Sequence, residues 1–168
     1  PEIQMSLMDI DPKRMAKVTE NLDRLRLSAN IIIGDACHGS EIFPEESFDQ
    51  IIADVPCSAL GVVRRNPDIK LLRKLKDIYS FSCLQKNLLR GLWPVLKPGG
   101  HLLYVTCSIL QDENDAVVGN HFKVNSNCEW MPIEAKWGFE TKYGRQLIQT
   151  SGAQDGLYFS LLRKTSSH

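Results

Sequence analysis

The stretch FDQIIADVPCSALG, residues 48–61, indicates the fold class, because a run typical of a strand ends in a loop with an acidic residue and a cysteine. Its first six residues are mostly apolar and β-branched or aromatic, and Asp54 with the proline two residues later closes the strand. The stretch HLLYVTCS, residues 101–108, repeats this arrangement, with a strand followed directly by Cys107. Two strands therefore each end beside a thiol.

Outward from these strands, helical and strand patterns alternate along the chain. Apolar spacings of three and four indicate helices, and β-branched runs indicate strands. The further predicted elements are strands over residues 3–8, 30–33 and 157–162, helices over residues 12–27, 80–96 and 111–122, a loop over residues 55–77 with a short helix near Leu71, and an irregular polar stretch before the last strand. This order predicts one α/β domain over residues 1–168 with a mainly parallel, doubly wound sheet.

The composition is that of an ordinary globular protein and excludes several classes. Hydrophobic residues make up 43% and charged residues 24%, and 20 basic residues balance 20 acidic ones, so net charge predicts no partner. Apolar runs are only strand-sized and residues 1–4 do not resemble a signal peptide, so we expect a cytoplasmic location and no membrane partner. The five cysteines show neither a Cys-x-x-Cys pair nor a Cys/His cluster at zinc spacing, so neither a disulfide scaffold nor a metal site is expected.

Four reactive side chains fall at predicted carboxyl ends of strands, which meet at one rim of such a sheet. They are Asp9, Asp35, Asp54 and Cys107. Asp9 is placed to bind ribose hydroxyls in a dinucleotide-type fold, although a solvated turn residue is an equal alternative. Asp35 is also compatible with ordinary turn chemistry. The glycine-rich loop that should precede Asp9 by about 20 residues is expected to lie outside this sequence.

If their strands are neighbours, about 4.8 Å apart, Cys57 and Cys107 reach the same crevice. Two thiols in one pocket suit a reaction such as methylation of cytosine at carbon 5, which needs a temporary nucleophile at carbon 6. Cys107 lies just ahead of a predicted helix, whose amino terminus favours a thiolate, so it is the expected nucleophile and Cys57 its assistant. The alternative for either is a buried space-filling cysteine, which is the interpretation we give the other three.

Residues 64–77 carry six basic and two acidic side chains. The basic ones are Arg64, Arg65, Lys70, Arg73, Lys74 and Lys76. This local excess predicts contact with phosphates, and a merely solvated face is the alternative.

These motifs together resemble the bacterial ribosomal RNA cytosine-5 methyltransferases, and among them the Sun/Fmu type that acts on 16S ribosomal RNA. The resemblance spans nearly the whole chain. It is carried by DVPCSALG at 54–61, RRNPD at 64–68, LKPGG at 96–100, TCS at 106–108, EN at 113–114 and DG at 155–156. Leu60 and Val55 stand where the family usually has threonine and alanine, which are mild departures.

The resemblance implies a Rossmann-like methyltransferase fold with S-adenosylmethionine as methyl donor and RNA, expected to be 16S ribosomal RNA, as substrate. Cys107 would add to cytosine carbon 6, and Cys57 would assist proton removal and enzyme release. Asp9 would hold the cofactor ribose, Asp35 its adenine end, and Asp54 would lie between cofactor and base. Within the basic segment described above, Arg64, Arg65, Lys70 and Arg73 are the residues expected to contact this RNA, because their charge excess lies next to the Cys57 loop.

The family also carries an upstream helical RNA-binding domain and a first strand, with the glycine-rich loop, between the Asp9 and Asp54 strands. Neither is found in this sequence, so we expect a gap in the sheet, or its closure by non-native pairing. Two alternatives stay open: a fragment that contacts RNA without holding the cofactor, and another cofactor-fold enzyme such as a dehydrogenase, against which the two cysteines argue.

Overall fold

A computed structural model describes residues 3–148 and 154–166 of the chain. The strands in these ranges are β1 (Ser6–Asp9), β2 (Asn30–Ile33), β3 (Phe48–Asp54), β4 (Leu96–Thr106), β5 (Cys128–Met131), β6 (Phe139–Glu140), β7 (Arg145–Leu147) and β8 (Leu157–Lys164). The helices are α1 (Pro12–Leu25), α2 (Gly39–Ile42), α3 (Ile69–Leu72), α4 (Leu75–Leu92) and α5 (Asp115–Val124), with 3-10 turns at Ala36–His38, Leu60–Val62 and Gln111–Glu113.

The amino-terminal unit is a parallel pair, β1 and β2, connected by α1. The Asp11 side chain caps α1 by accepting the Lys13 N–H at 2.8 Å, and Pro12 occupies the first turn, where a missing N–H costs nothing. Arg26 ends the helix in the left-handed region, with φ 54°. Asp9 therefore lies at the carboxyl end of β1, immediately before a well-capped helix.

The second sheet contains the remaining strands in the order β3-β4-β8-β7-β6, and β5 pairs with β8. Strands β3 and β4 are parallel, with Asp54 opposite Val105, whereas the other pairs in this sheet are antiparallel. The carboxyl ends of β3 and β4 thus open at the same edge, and the loops after them start side by side.

The core lies between this sheet and helices α4 and α5. Fully buried side chains come from both helices and from β4 and β8: Leu89, Leu96, Leu102, Tyr104, Val117, Val118, Tyr158 and Leu162. Burial of each large apolar side chain contributes about 1.5–3 kcal/mol. The part of the molecule that carries the β3 and β4 loops is therefore its best-packed part.

A gap separates the two sheets. Within the described ranges β1 is hydrogen-bonded only to β2 and β3 only to β4, and residues of both β1 and β3 line a cavity of about 630 Å³ between them. The outward side of β3 leaves Ile52 75% exposed. The units meet instead where the Ala36–His38 turn packs on α4, so closely that a Cβ on Gly91 would lie 2.4 Å from the Ala36 carbonyl oxygen. The gap expected between the Asp9 and Asp54 strands is thus observed.

The predicted α/β, Rossmann-like arrangement is confirmed, with differences in detail. The larger sheet is mixed rather than mainly parallel. Two strand pairs are parallel and four are antiparallel among the described residues, because β8 runs antiparallel to β4 and the polar stretch expected to be irregular forms the antiparallel strands β5, β6 and β7. Helix α4 ends at Leu92 rather than residue 96, since Pro94 cannot continue a helix. Helix α5 begins at Asp115 rather than residue 111. In the part of the chain that is described, no helix has the length and apolar character to cross a membrane.

Candidate active site

The loops after β3 and β4 bring Cys57 and Cys107 together. Their Sγ atoms are 3.3 Å apart, within hydrogen-bond distance for two sulfurs. Cys57 is buried and Cys107 is half-buried, and all five cysteines of the chain are free thiols. The two thiols therefore share one pocket, as neighbouring strands led us to expect.

The two thiols differ in acidity. The hydrogen bond from Cys57 lowers the pKa of Cys107 to about 7, against the opposing effects of burial and the Asp54 charge. The same hydrogen bond, together with burial, raises the pKa of Cys57. Above pH about 7 these shifts favour a Cys107 thiolate that accepts a hydrogen bond from the Cys57 thiol. The sequence predicted that a helix amino terminus would lower the pKa of Cys107. Helix α5 begins only at Asp115, and the main cause of the lowered pKa is the hydrogen bond from Cys57.

A buried carboxylate joins the two cysteine loops. Glu113 is fully buried, and its Oε1 accepts the Ser58 N–H at 2.7 Å and a Gln85 Nε2–H at 3.3 Å. Its Oε2 accepts the Ser58 Oγ–H at 2.5 Å and the Ser108 Oγ–H at 2.6 Å. Ser58 and Ser108 are the residues directly after the two cysteines. One side chain thus fixes the position of both loops.

A buried amide supports the second loop from beneath. The Asn114 Oδ1 accepts the Thr106 Oγ–H at 2.7 Å, and its Nδ2 donates to the Ser108 carbonyl at 3.1 Å. It also donates to Gln146 Oε1 at 2.9 Å, and Gln146 lies in β7. The short strands that were expected to be irregular therefore contribute to holding the Cys107 loop.

Two glycines make a third loop approach the same place. The Gly61 N–H donates to the Cys107 carbonyl at 2.9 Å, and the Gly61 carbonyl accepts the Gly156 N–H at 2.7 Å. A Cβ on Gly61 would lie 2.0 Å from the Gly156 oxygen, so only glycine fits here. Asp155, just before Gly156, forms an ion pair with Arg65 at 3.2 Å.

The three carboxylates expected for cofactor binding line the 630 Å³ cavity with both cysteines. Asp9 Oδ1 accepts the Asp11 N–H and lies 2.8 Å from an Arg14 nitrogen. Asp35 caps the Ala36–His38 turn through the Cys37 N–H at 2.9 Å. The second oxygen of Asp9 has no protein donor among the described residues, which suits hydroxyl groups of a nucleoside.

The cavity therefore combines three carboxylates with two thiols. Within residues 3–148 and 154–166, no group of three or more His, Cys, Asp or Glu side chains is arranged to hold a metal. The lining is otherwise mainly apolar, with Met8, Ile10, Phe43 and Leu88 among its members. Such a mixture of apolar walls and a few polar groups is typical of small-molecule sites.

The four basic residues expected to contact RNA are in different environments. Arg73 donates from Nε to the Ser58 carbonyl at 3.0 Å and lies over the Phe81 ring, so it also braces the Cys57 loop. Arg65 is paired with Asp155. Arg64 and Lys70 form no ion pair among the described residues. Arg64 and Lys70 therefore have charges that are more available to bind phosphates.

Sequence patterns gave no role to several residues that shape the site. They are Ser58, Gln85, Ser108, Glu113, Asn114 and Gln146. One signal was available for Gln85, because it interrupts the apolar face of α4 one turn before Leu88 and Leu89, and it is fully buried. A polar residue at a core position is expected to have a buried partner.

A family model described as 16S rRNA methyltransferase RsmB/F matches residues 1–163. The chain is 42% identical over 165 residues to the ribosomal RNA small subunit methyltransferase B of Vibrio cholerae serotype O1, covering 98% of this chain and 37% of that protein. It is 40% identical over 163 residues to the protein of the same name from Pseudomonas putida, covering 97% of this chain and 37% of that one. The chain thus spans little more than a third of the length of these relatives.

Solved structures give the same fold. A methyltransferase homolog protein from Pyrococcus horikoshii superimposes with a TM-score of 0.80 at 27% identity, over 96% of this chain and 53% of that one. The NSun6 protein of Pyrococcus horikoshii, solved with SFG, is alike in fold, with a TM-score of 0.86 at 23% identity over 98% of this chain and 42% of that one. With the family match extending over nearly its whole length, the chain belongs to the 16S rRNA methyltransferase RsmB/F family.

Proposed function

We propose that this chain is the catalytic part of an S-adenosylmethionine-dependent methyltransferase that acts on carbon 5 of a cytosine in RNA, with 16S ribosomal RNA as the substrate. Family membership supports methylation of ribosomal RNA. The cytosine chemistry is supported by one observation above the others, the 3.3 Å contact between a thiol and a thiol of lowered pKa.

The chemistry begins with addition of a thiolate. The Cys107 sulfur forms a bond to cytosine carbon 6, and the electron pair of the carbon 5–carbon 6 double bond moves into the ring, so that carbon 5 becomes nucleophilic. S-adenosylmethionine, when bound, supplies a methyl group on a sulfonium. Because the pKa of Cys107 is about 7, a substantial fraction of this thiol is ionised near neutral pH.

Cys57 assists the second half of the reaction. The methylated carbon 5 must lose its proton, after which the ring electrons return and the bond from sulfur to carbon 6 breaks. The negative charge of Cys107 is one cause of the raised pKa of Cys57. Formation of the covalent bond removes that charge, so the pKa of Cys57 falls and its thiol can release its proton to solvent. The resulting Cys57 thiolate can then accept the proton from carbon 5, and the bond from sulfur to carbon 6 breaks with return of the Cys107 thiolate.

The remaining roles follow the position of each residue around the cavity. We assign the cofactor ribose to Asp9, its adenine end to Asp35, and the space between cofactor and base to Asp54. Phosphate contact is assigned to Arg64, Arg65, Lys70 and Arg73 of the basic segment. A cytosine that reaches thiols in a cavity must be single-stranded or flipped out of its stack. The single domain over residues 1–168, the cytoplasmic location and the upstream RNA-binding domain stay predictions.

The test uses RNA that contains 5-fluorocytosine together with S-adenosylmethionine. After methyl transfer carbon 5 carries fluorine and no proton, so the protein should remain covalently bound to RNA. We expect this adduct with the natural chain and none with Cys107→Ser. On ordinary RNA, Cys57→Ser should accumulate an adduct that the natural chain releases. An adduct that persists in Cys107→Ser, or that forms through Cys57, would contradict the assignment.

A second candidate is a chain that contacts RNA but does not hold the cofactor. The separation of β1 from β3 favours it, because Asp9 and Asp54 then belong to different sheets. Calorimetry with S-adenosylmethionine separates the two: saturable binding supports the methyltransferase, and no binding together with retained RNA binding supports the second candidate.

A further inference from the structure

We infer that Glu113 is a positioning residue, whose buried carboxylate holds the two cysteine loops so that the Cys57 and Cys107 sulfurs stay within hydrogen-bond distance. This inference deepens the proposed function and rests on it for its catalytic meaning. The contacts themselves do not depend on the function. Glu113 touches neither thiol and acts through Ser58 and Ser108.

The geometry of Glu113 is specific to these loops. Three of its four hydrogen bonds come from the residues that follow the cysteines, at 2.5–2.7 Å. The fourth comes from Gln85, whose Nε2 also donates to the Pro56 carbonyl at 2.8 Å, just before Cys57. Each cysteine loop is therefore bound to the same carboxylate, and a shift of either loop would break at least one short bond.

The carboxylate is also costly to keep in this place. Glu113 is fully buried, and no Lys, Arg or His lies within ion-pair distance of it among the described residues. A buried carboxylate without a cation is tolerated only where hydrogen bonds satisfy it, and a neutral side chain of similar volume would avoid the desolvation. Four hydrogen-bond donors satisfy the Glu113 carboxylate, and these hydrogen bonds hold the two cysteine loops in place.

Asp115 provides a matched comparison within the same segment. Its carboxylate also accepts four hydrogen bonds, from Tyr158, Thr141, Tyr143 and Lys142 at 2.8–3.1 Å. These partners belong to β8 and the turn between β6 and β7, and none is adjacent to a cysteine. A variant of Asp115 therefore disturbs stability without removing a direct hydrogen bond to the residues that follow the two cysteines.

The experiment measures the pH dependence of Cys107 alkylation by iodoacetamide, followed on the Cys107 peptide by mass spectrometry. The natural chain should show a midpoint at pH about 7. Glu113→Ala frees both loops and weakens the donation from Cys57, so the midpoint should rise by about one to two pH units. Glu113→Gln still accepts the Ser58 N–H and offers an amide to the rotatable hydroxyls, so its midpoint should change by less than about half a unit. Asp115→Asn should leave the midpoint unchanged.

The direction of the change separates positioning from a simple effect of charge. The charge of Glu113 by itself raises the pKa of Cys107, so a residue acting only through charge would give lower midpoints in both Glu113 variants. A midpoint that is lower or unchanged in folded Glu113→Ala overturns the inference. If Glu113→Ala does not fold, the double variant Ser58→Ala with Ser108→Ala replaces it, and the same rise is expected.

Methyl transfer is measured separately on the same variants. If Glu113→Ala raises the midpoint but the natural chain transfers no methyl group to RNA, the positioning role stands and the proposed function is contradicted. An unchanged midpoint together with normal methyl transfer by Glu113→Ala would contradict the positioning role alone.

Discussion

On one side of the candidate site, the thiol side, the loops of Cys57 and Cys107 are tied to buried groups of the best-packed part of the molecule. On the other, the carboxylate side, Asp9 ends β1 and Asp35 caps the start of the Ala36–His38 turn in a smaller unit, and the Asp9 partner Arg14 is exposed. The thiol pair is therefore set by the interior of the fold. The position of Asp9 and Asp35 relative to the thiols depends on the packing of the Ala36–His38 turn and of α2 on α4.

The largest effect is expected on the thiol side, from Gly61→Ala. Its Cβ would lie 2.0 Å from the Gly156 carbonyl oxygen and 2.8 Å from that of Cys107, and neither backbone atom can move alone. We expect a loss of about 4 kcal/mol in the free energy of unfolding in urea, at the upper end for overpacking. Gly99→Asn is the control: no atom lies within 4 Å of its Cβ, so it adds only the backbone strain of φ +81°, which is smaller for asparagine than for most residues. Equal stabilities of the two variants would show that the loop of Gly156 is not held tightly against Gly61.

Gly91→Ala should have a somewhat smaller effect, confined to the carboxylate side. The added Cβ would lie 2.4 Å from the carbonyl oxygens of Ala36 and Cys37, which pushes the turn away from α4. We expect a cost of about 3 kcal/mol for the amino-terminal unit. Hydrogen exchange should accelerate in β1 and β2 while β4 and β8 stay protected. Uniform acceleration across both sheets would mean that the two sides unfold together and that the distinction between them is wrong.

Asp9→Asn sharpens the comparison through the cofactor. Asparagine keeps the acceptor for the Asp11 N–H but loses the charge, so we expect the affinity for S-adenosylmethionine to fall about tenfold, or ~1.4 kcal/mol. Asp11→Asn is the matched control, because asparagine caps a helix as well as aspartate does and Asp11 is not assigned to the cofactor. Calorimetry gives both affinities. Equal losses of affinity in Asp9→Asn and Asp11→Asn would show that Asp9 does not bind the cofactor.

The sequence predicted those features that depend on local periodicity. Strand patterns placed Asp9, Asp35, Asp54 and Cys107 at one rim, and the structure puts all four around one cavity. The closeness of Cys57 and Cys107 followed from the expectation that their strands are neighbours. These are consequences of strand period and parallel pairing, which a single sequence carries.

The missed features depend on contacts between distant segments. Strands β6 and β7 have only two and three residues, too few for a pattern, and form because Asp115 binds the turn between them. The link from Glu113 to Ser58 spans 55 residues. Arg73 looked like a surface cation but donates to the Ser58 carbonyl. No local rule specifies such partners, because they are selected by the packing of the whole chain.

The smallest expected effect is a pH dependence of stability that originates in the thiol pair. Cys107 has a folded-state pKa of about 7, below its ordinary 9.0, so its contribution is present above pH 9 and is lost as the pH falls through 7. The pKa of Cys57 is raised, so its contribution is present below pH 9 and is lost as the pH rises further. Together the pair should stabilise the fold most near pH 9.

The measurement compares the natural chain with the double variant Cys57→Ser and Cys107→Ser in urea between pH 6 and 10. After allowance for solvent screening at the half-buried Cys107, their difference in unfolding free energy should rise by about 1 kcal/mol between pH 7 and 9 and then decline. Cys128→Ser is the control: burial raises the pKa of Cys128 to about 12, so its difference from the natural chain should stay flat up to pH 9. A flat difference for the double variant would mean that the two sulfurs do not share a proton, and the thiol side would then be no better defined than the carboxylate side.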